Sequence, residues 1–130
     1  MKNFLAITIL GTVLSGSLAL ANEMAFDDYY RGLEAHDTGK YAEAVIWYYK
    51  AVKQGVAIAQ FKLGSMYVAG QAVSRNYISA HMWLNMAGLQ GIEIAKTKMN
   101  ILEKRMTASE LEEARRRAKI CLNSNYKNCD

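Results

Sequence analysis

Residues 44–59, AVIWYYKAVKQGVAIA, and residues 80–95, AHMWLNMAGLQGIEIA, carry the pattern that decides the fold. Ala44, Trp47, Ala51, Gly55 and Ala59 of the first stretch recur 36 residues later as Ala80, Trp83, Ala87, Gly91 and Ala95. Self-similarity at such a period is the mark of a stacked helical repeat. One helical hairpin of this length cannot bury its apolar face alone, so the copies must pack on one another and leave an extended surface for a partner. The pattern points to binding rather than to chemistry.

Working outward, proline is absent, and the punctuation comes from Gly39, Gly55, Gly70 and Gly91 and from polar caps. Six helices joined by short turns are predicted, with nothing strand-like. The first runs from about Met24 to His36, the second from Lys40 to Gln54 with Gly55 as a left-handed terminator. The third spans Ala57 to Ala69. Asn76 is a good N-cap for the fourth, which ends before Gly91. The fifth runs from about Glu93 to Arg105, and Thr107-Ala108-Ser109-Glu110 is a capping box that opens the sixth, which continues to about Leu122.

The residues Ala59-x3-Leu63-Gly64-x2-Tyr67-x2-Gly70, followed by Ala80-x2-Trp83 and Ala87-x3-Gly91-x3-Ala95, resemble a Sel1-like repeat, a relative of the tetratricopeptide repeat. The resemblance implies an all-α fold, a short right-handed α/α solenoid of about three hairpins. It also implies a protein–protein interaction role. Small residues at Gly64, Ala80 and Ala87 let helices approach, while Leu63, Tyr67 and Trp83 fill the space between them. Two positions depart from the pattern: Ala72 stands where the family usually has a second loop glycine, and Asn76 where it usually has aspartate. The preceding copy, Gly32 to Ala59, is shorter by four loop residues and closer to a plain tetratricopeptide hairpin. In the third unit Met99, Asn100, Glu103 and Met106 replace Leu63, Gly64, Tyr67 and Gly70, which reads as a polar C-terminal cap.

The N-terminus, Met1-Lys2-Asn3, an apolar run from Phe4 to Leu14 and small residues ending Ala19-Leu20-Ala21, reads as a signal peptide over residues 1–21. The alternative, an uncleaved anchor, is disfavoured by Thr8, Gly11, Thr12 and Ser15 to Ser17 within a short run. Cleavage would leave residues 22–130 as one small domain, periplasmic or secreted, without stable membrane insertion. Loss of that segment removes Lys2 and no acid, so the net charge of +4 falls by one. The basic residues crowd the later part, from Lys96 to Lys119. Such a run is either a solvated helix face or a docking surface for an acidic protein or membrane. Nucleic acid is not expected, since these cations are not interleaved with aromatics.

Cys121 and Cys129 are the only cysteines, and an oxidising compartment favours a disulfide between them. Unbroken helix would hold them about 12 Å apart, beyond the limit of about 7 Å for bridged Cα atoms. The bridge therefore requires the last helix to stop near Asn123-Ser124-Asn125 and the tail to fold back. No metal or cofactor site is expected, because two cysteines and a distant histidine are too few ligands.

A search for catalytic groupings returns little. His36 and His81, the only histidines, have no serine or cysteine nucleophile in motif context. Asp27-Asp28 and Glu112-Glu113 are neighbours whose members point to different sides of a helix. Although some Sel1-like proteins are described as β-lactamases, no Ser-x-x-Lys or zinc signature carries that here. A hydrolase of cell-wall material or β-lactams is thus the weakest alternative to a non-enzymatic adaptor. The resemblance offers another alternative, an immunity protein neutralising an effector enzyme.

If the first helix of each hairpin lines the concave face, as in tetratricopeptide stacks, the groove would hold three stripes. These are Phe26, Tyr29, Leu33 and His36; Ile58, Phe61, Ser65 and Val68; and Ile94, Thr97, Ile101 and Lys104, the last giving a basic end. The same spacing also suits residues buried in a core. A partner protein or peptide is expected on this groove; the oligomeric state is left open.

Overall fold

The structure is a computed structural model that describes the backbone of residues 2–130 and the side chains from residue 16 onward. Among the described residues there are six helices and no strand. They are α1 (Lys2–Asp37), α2 (Tyr41–Val52), α3 (Ala57–Ala69), α4 (Tyr77–Leu89), α5 (Glu93–Glu103) and α6 (Ala108–Asn123).

The local signals work as chemistry dictates. Gly55, between α2 and α3, has φ +79°, the left-handed conformation that costs a residue without Cβ little. Asn76 caps α4 by accepting a hydrogen bond from the Ser79 amide at 3.1 Å. Thr107 and Glu110 form the reciprocal capping box: each side chain accepts from the other's backbone amide, at 3.1 and 2.8 Å.

One boundary differs from the sequence expectation. No helix begins near Met24; α1 passes through it unbroken, because residues 19–24 contain neither proline nor glycine to interrupt the hydrogen-bond ladder. Residues 16–24 are nevertheless all exposed, and Ala25 is the first buried side chain described. The signal-peptide reading rests mainly on residues 1–15, whose side chains lie outside the described residues. Among those described, no helix is long and apolar enough to cross a membrane.

α1 packs on α2, α2 on α3, and α4 on α3, α5 and α6. α4 is the hub, with Ala80, Met82, Trp83, Leu84, Met86 and Ala87 all essentially inaccessible. Two glycines set the spacing. A Cβ on Gly64 would sit 3.0 Å from Leu84 Cγ, and one on Gly32 would sit 2.6 Å from the Tyr48 ring. The α1–α2 and α3–α4 hairpins are therefore closed by the same device, a glycine on the first helix opposite a large side chain on the second.

The third unit departs from this plan, since α6 makes its principal packing on α4 rather than on α5. Ala118 and Cys121 of α6 and Cys129 of the tail join the core around Tyr48, Met82, Trp83 and Met86. Cys121 and Cys129 lie at disulfide-bonding distance, with Cα atoms 4.3 Å apart. The helix stops after Asn123, and Asn125 and Tyr126 take positive φ to reverse the chain. The tail then returns to α2: Lys127 Nζ donates to the Lys53 carbonyl at 2.7 Å, and Tyr49 Oη donates to Asp130 at 3.1 Å. Tyr49 also shares a hydrogen bond with Tyr67. Burial, followed by that hydrogen bond, pushes the Tyr49 phenol up, so it remains a donor at neutral pH.

Candidate protein-binding surface

α3 presents Ile58, Phe61, Ser65 and Val68 at spacings of three and four residues, all half-buried along one side. At its N-terminal end Ile58 shares a recess of about 390 Å³ with Phe26 of α1, Val56 and Ile92. At the other end Ser65 and Val68 face Ile101, Leu102, Lys98 and Arg105 across a second recess, also about 390 Å³. Phe61 lies between the two, with Lys98 Nζ 5.1 Å from the centre of its ring. Ile94 and Ile101 on α5 are 55% and 54% exposed.

Not every residue of the expected groove lies here. Tyr29 belongs to the core: it is only 9% exposed and stacks on Tyr48, ring centres 6.1 Å apart. Gly32 causes this, because the absent Cβ admits the Tyr48 ring against α1 and draws Tyr29 over it. Leu33 packs against the same core. His36 sits edge-on to Tyr41 at 5.1 Å, away from both recesses. Thr97 is exposed, and its hydroxyl donates back to the Glu93 carbonyl at 3.4 Å. Lys104 is exposed as the C-cap of α5 and does not line the recess. The basic rim is made by Lys98 and Arg105 instead. Sequence reasoning missed both, although each follows an apolar residue of the stripe, Ile94 or Ile101, by four residues, Lys98 on α5 and Arg105 in the turn just after it.

The two histidines are poorly placed for catalysis. His81 is 2% exposed, and its Nε2–H donates to Glu103 Oε1 at 2.8 Å. Its ring is sealed between α4 and α5, out of reach of a substrate. His36 is 3.7 Å from Asp37, with no serine or cysteine nucleophile joined to the pair among the described residues. Among the described residues, no group of three His, Cys, Asp or Glu side chains could hold a metal ion.

The two hairpins coincide with two units of one known repeat. Residues 20–56 and 57–92 each match the family model of the Sel1 repeat. The chain belongs to the Sel1 repeat family. The first match covers the last part of α1 and α2, and the second covers α3 and α4, so the family unit is the glycine-closed hairpin described above. Sel1 repeats serve generally as protein-interaction units. Over 57 residues it is 39% identical to the Chitin synthase regulatory factor 3 of Schizosaccharomyces pombe. That match takes in 44% of this chain and 6% of the fungal protein, so the likeness extends to a small part of that relative.

The Sel1 repeat position of Trp47 and Trp83 shows how context changes one residue. Trp83 is 1% exposed, with Tyr49 edge-on at 6.1 Å. Trp47 remains half-buried in the first unit, where no preceding hairpin covers it among the described residues. Arg31 and Lys50 lie over its ring instead, at 4.8 and 4.2 Å.

Proposed function

We propose that this Sel1 protein is a non-catalytic adaptor, exported to the periplasm of a bacterium or secreted, and that its partner docks along the α3–α5 side. The carrying observation is the apolar stripe of α3 opening into a recess beside Ile101, with Ile94 and Ile101 more than half exposed. Exposed apolar side chains rimmed by polar ones mark surfaces that bind protein. The export reading is supported by the sequence of residues 1–21 and by the exposure of residues 16–24.

The test is an affinity capture from periplasmic and secreted fractions with the wild-type protein, Ile101→Asp and Ile46→Asp. Both positions are exposed, on α5 and α2 respectively, so each variant should keep its circular dichroism spectrum. The expected result is a partner lost with Ile101→Asp and kept with Ile46→Asp. A partner retained by Ile101→Asp would move the site elsewhere, and measurable turnover of a cell-wall or β-lactam substrate would overturn the non-catalytic reading.

A further inference from the structure

Along α5 and the turn that follows it, Ile94, Lys98, Ile101 and Arg105 succeed one another at spacings of four, three and four residues, so apolar and basic side chains alternate along one stripe. The recess beside that stripe has an apolar floor, with Leu102 3% exposed and Val68 half-buried. Its two rim cations are unpaired among the described residues, unlike several other basic side chains of α5 and α6. Lys96 is paired with Glu93 at 3.0 Å, and Arg116 and Arg117 are paired with Glu113 at 2.7 and 2.8 Å. Among the described residues, neither Lys98 nor Arg105 has a carboxylate within ion-pair distance. Lys98 instead lies over the Phe61 ring, its ammonium close to the apolar surface.

We infer that this face takes an acidic amphipathic segment of another protein, its apolar side chain seated among Val68, Ile101 and Leu102 and its carboxylates on Lys98 and Arg105. The inference rests on the reading of the α3–α5 side as the partner face and adds the chemistry of the partner. An arginine offers a carboxylate two parallel donors. A basic segment would bring like charges against both cations, which disfavours it strongly. Charge complementarity therefore selects the partner, and the recess supplies the apolar anchor.

Two labelled synthetic peptides test this by fluorescence anisotropy. They share one leucine spacing, one with glutamate and the other with lysine at the remaining positions. The glutamate peptide should bind about tenfold tighter or more, a preference of about 1.4 kcal/mol or more, and the gap should narrow in high salt. The Lys98→Glu/Arg105→Glu variant should reverse the preference, and Ile101→Asp should weaken the glutamate peptide. All three positions are exposed, so folding is expected to survive. Equal affinity for both peptides, or a preference unchanged by the charge reversal, overturns the inference. If both peptides bind equally but leave with Ile101→Asp, the adaptor reading stands and only the acidic partner is lost. If neither peptide binds while the affinity capture still depends on Ile101, the acidic segment is again excluded. If that dependence is absent too, both readings fall.

Discussion

His81 Nε2 lies 2.8 Å from Glu103 Oε1, and this hydrogen bond ties the buried face of α4 to the last turn of α5. The histidine is 2% exposed while the glutamate side chain is 30% exposed, so the cost of breaking the pair falls on the histidine. Glu103→Ala leaves a buried N–H without a partner and should lower unfolding stability by about 1–3 kcal/mol. Glu103→Gln keeps an acceptor and should lose distinctly less. Urea denaturation followed by circular dichroism separates the two.

Ala72 sits at φ +56° in the exposed loop between α3 and α4, where a Cβ costs roughly 1–2 kcal/mol. The Sel1 pattern usually places a glycine there, and the positive φ gives the reason. Ala72→Gly should raise stability by about 0.5–1 kcal/mol after the greater freedom of the unfolded glycine is deducted. A higher urea midpoint with an unchanged slope is the expected reading.

Close approach at Gly64 and Gly88 has opposite consequences. A Cβ on Gly64 would also lie 3.2 Å from the Ala80 carbonyl oxygen, part of the rigid backbone of α4. Gly64→Ala should therefore destabilise by about 1 kcal/mol or more, despite the better helix propensity of alanine. A Cβ on Gly88 would meet Lys96 Cγ at 2.9 Å, but that side chain is half exposed and can clear it by turning about χ1, giving up its exposed pair with Glu93. Gly88→Ala should be neutral or stabilising by up to about 1 kcal/mol. Thermal unfolding of both variants tests the contrast.

The bridge between Cys121 and Cys129 closes a short loop, with the tail also held by Lys127 on Lys53 and by Tyr126 against Gly55. Replacing both cysteines by serine should cost about 2–3 kcal/mol. The same shift should appear when the wild-type protein is unfolded under reducing conditions.

Hydrogen bonds from Arg116, then from Arg117, hold the Glu113 carboxyl down to about 2. A carboxylate whose folded value lies below its unfolded one contributes stability above the unfolded value, and that contribution is lost as pH falls. The Glu113 contribution should be full above about pH 4.5 and gone near pH 2. Glu113→Gln should flatten the acid limb of a stability profile over that window, and a carboxyl carbon titration should place the Glu113 midpoint near its lower end.

The fold was legible where its determinants are local. A capping box needs only Thr107 and Glu110, an N-cap only Asn76 and the amide three residues on, and a left-handed turn only Gly55. The repeat of Trp47 as Trp83 and of Ala51 as Ala87 needs no structure to be seen, and it dictates that hairpins must stack to bury their faces. The candidate site was legible in part: Ile58, Phe61, Ser65, Val68 and Ile101 were found by helical spacing. That spacing defines an apolar stripe without saying which neighbour covers it.

Only the tertiary structure decided the rest. Phe26 and Tyr29 lie three residues apart on α1, yet one is half exposed and the other buried, because the Tyr48 ring enters opposite Gly32 and covers one position alone. Trp47 and Trp83 are equivalent by repeat, but among the described residues a preceding hairpin seals Trp83 alone. His81 finds Glu103 across 22 residues of chain, and α6 settles on α4 while its tail returns to α2. Local sequence determined the helices, their ends and their need to stack, since those depend on bonds and side chains within a few residues. Which faces remained open depended on long-range packing, where shape and the absence of a single Cβ select the neighbour.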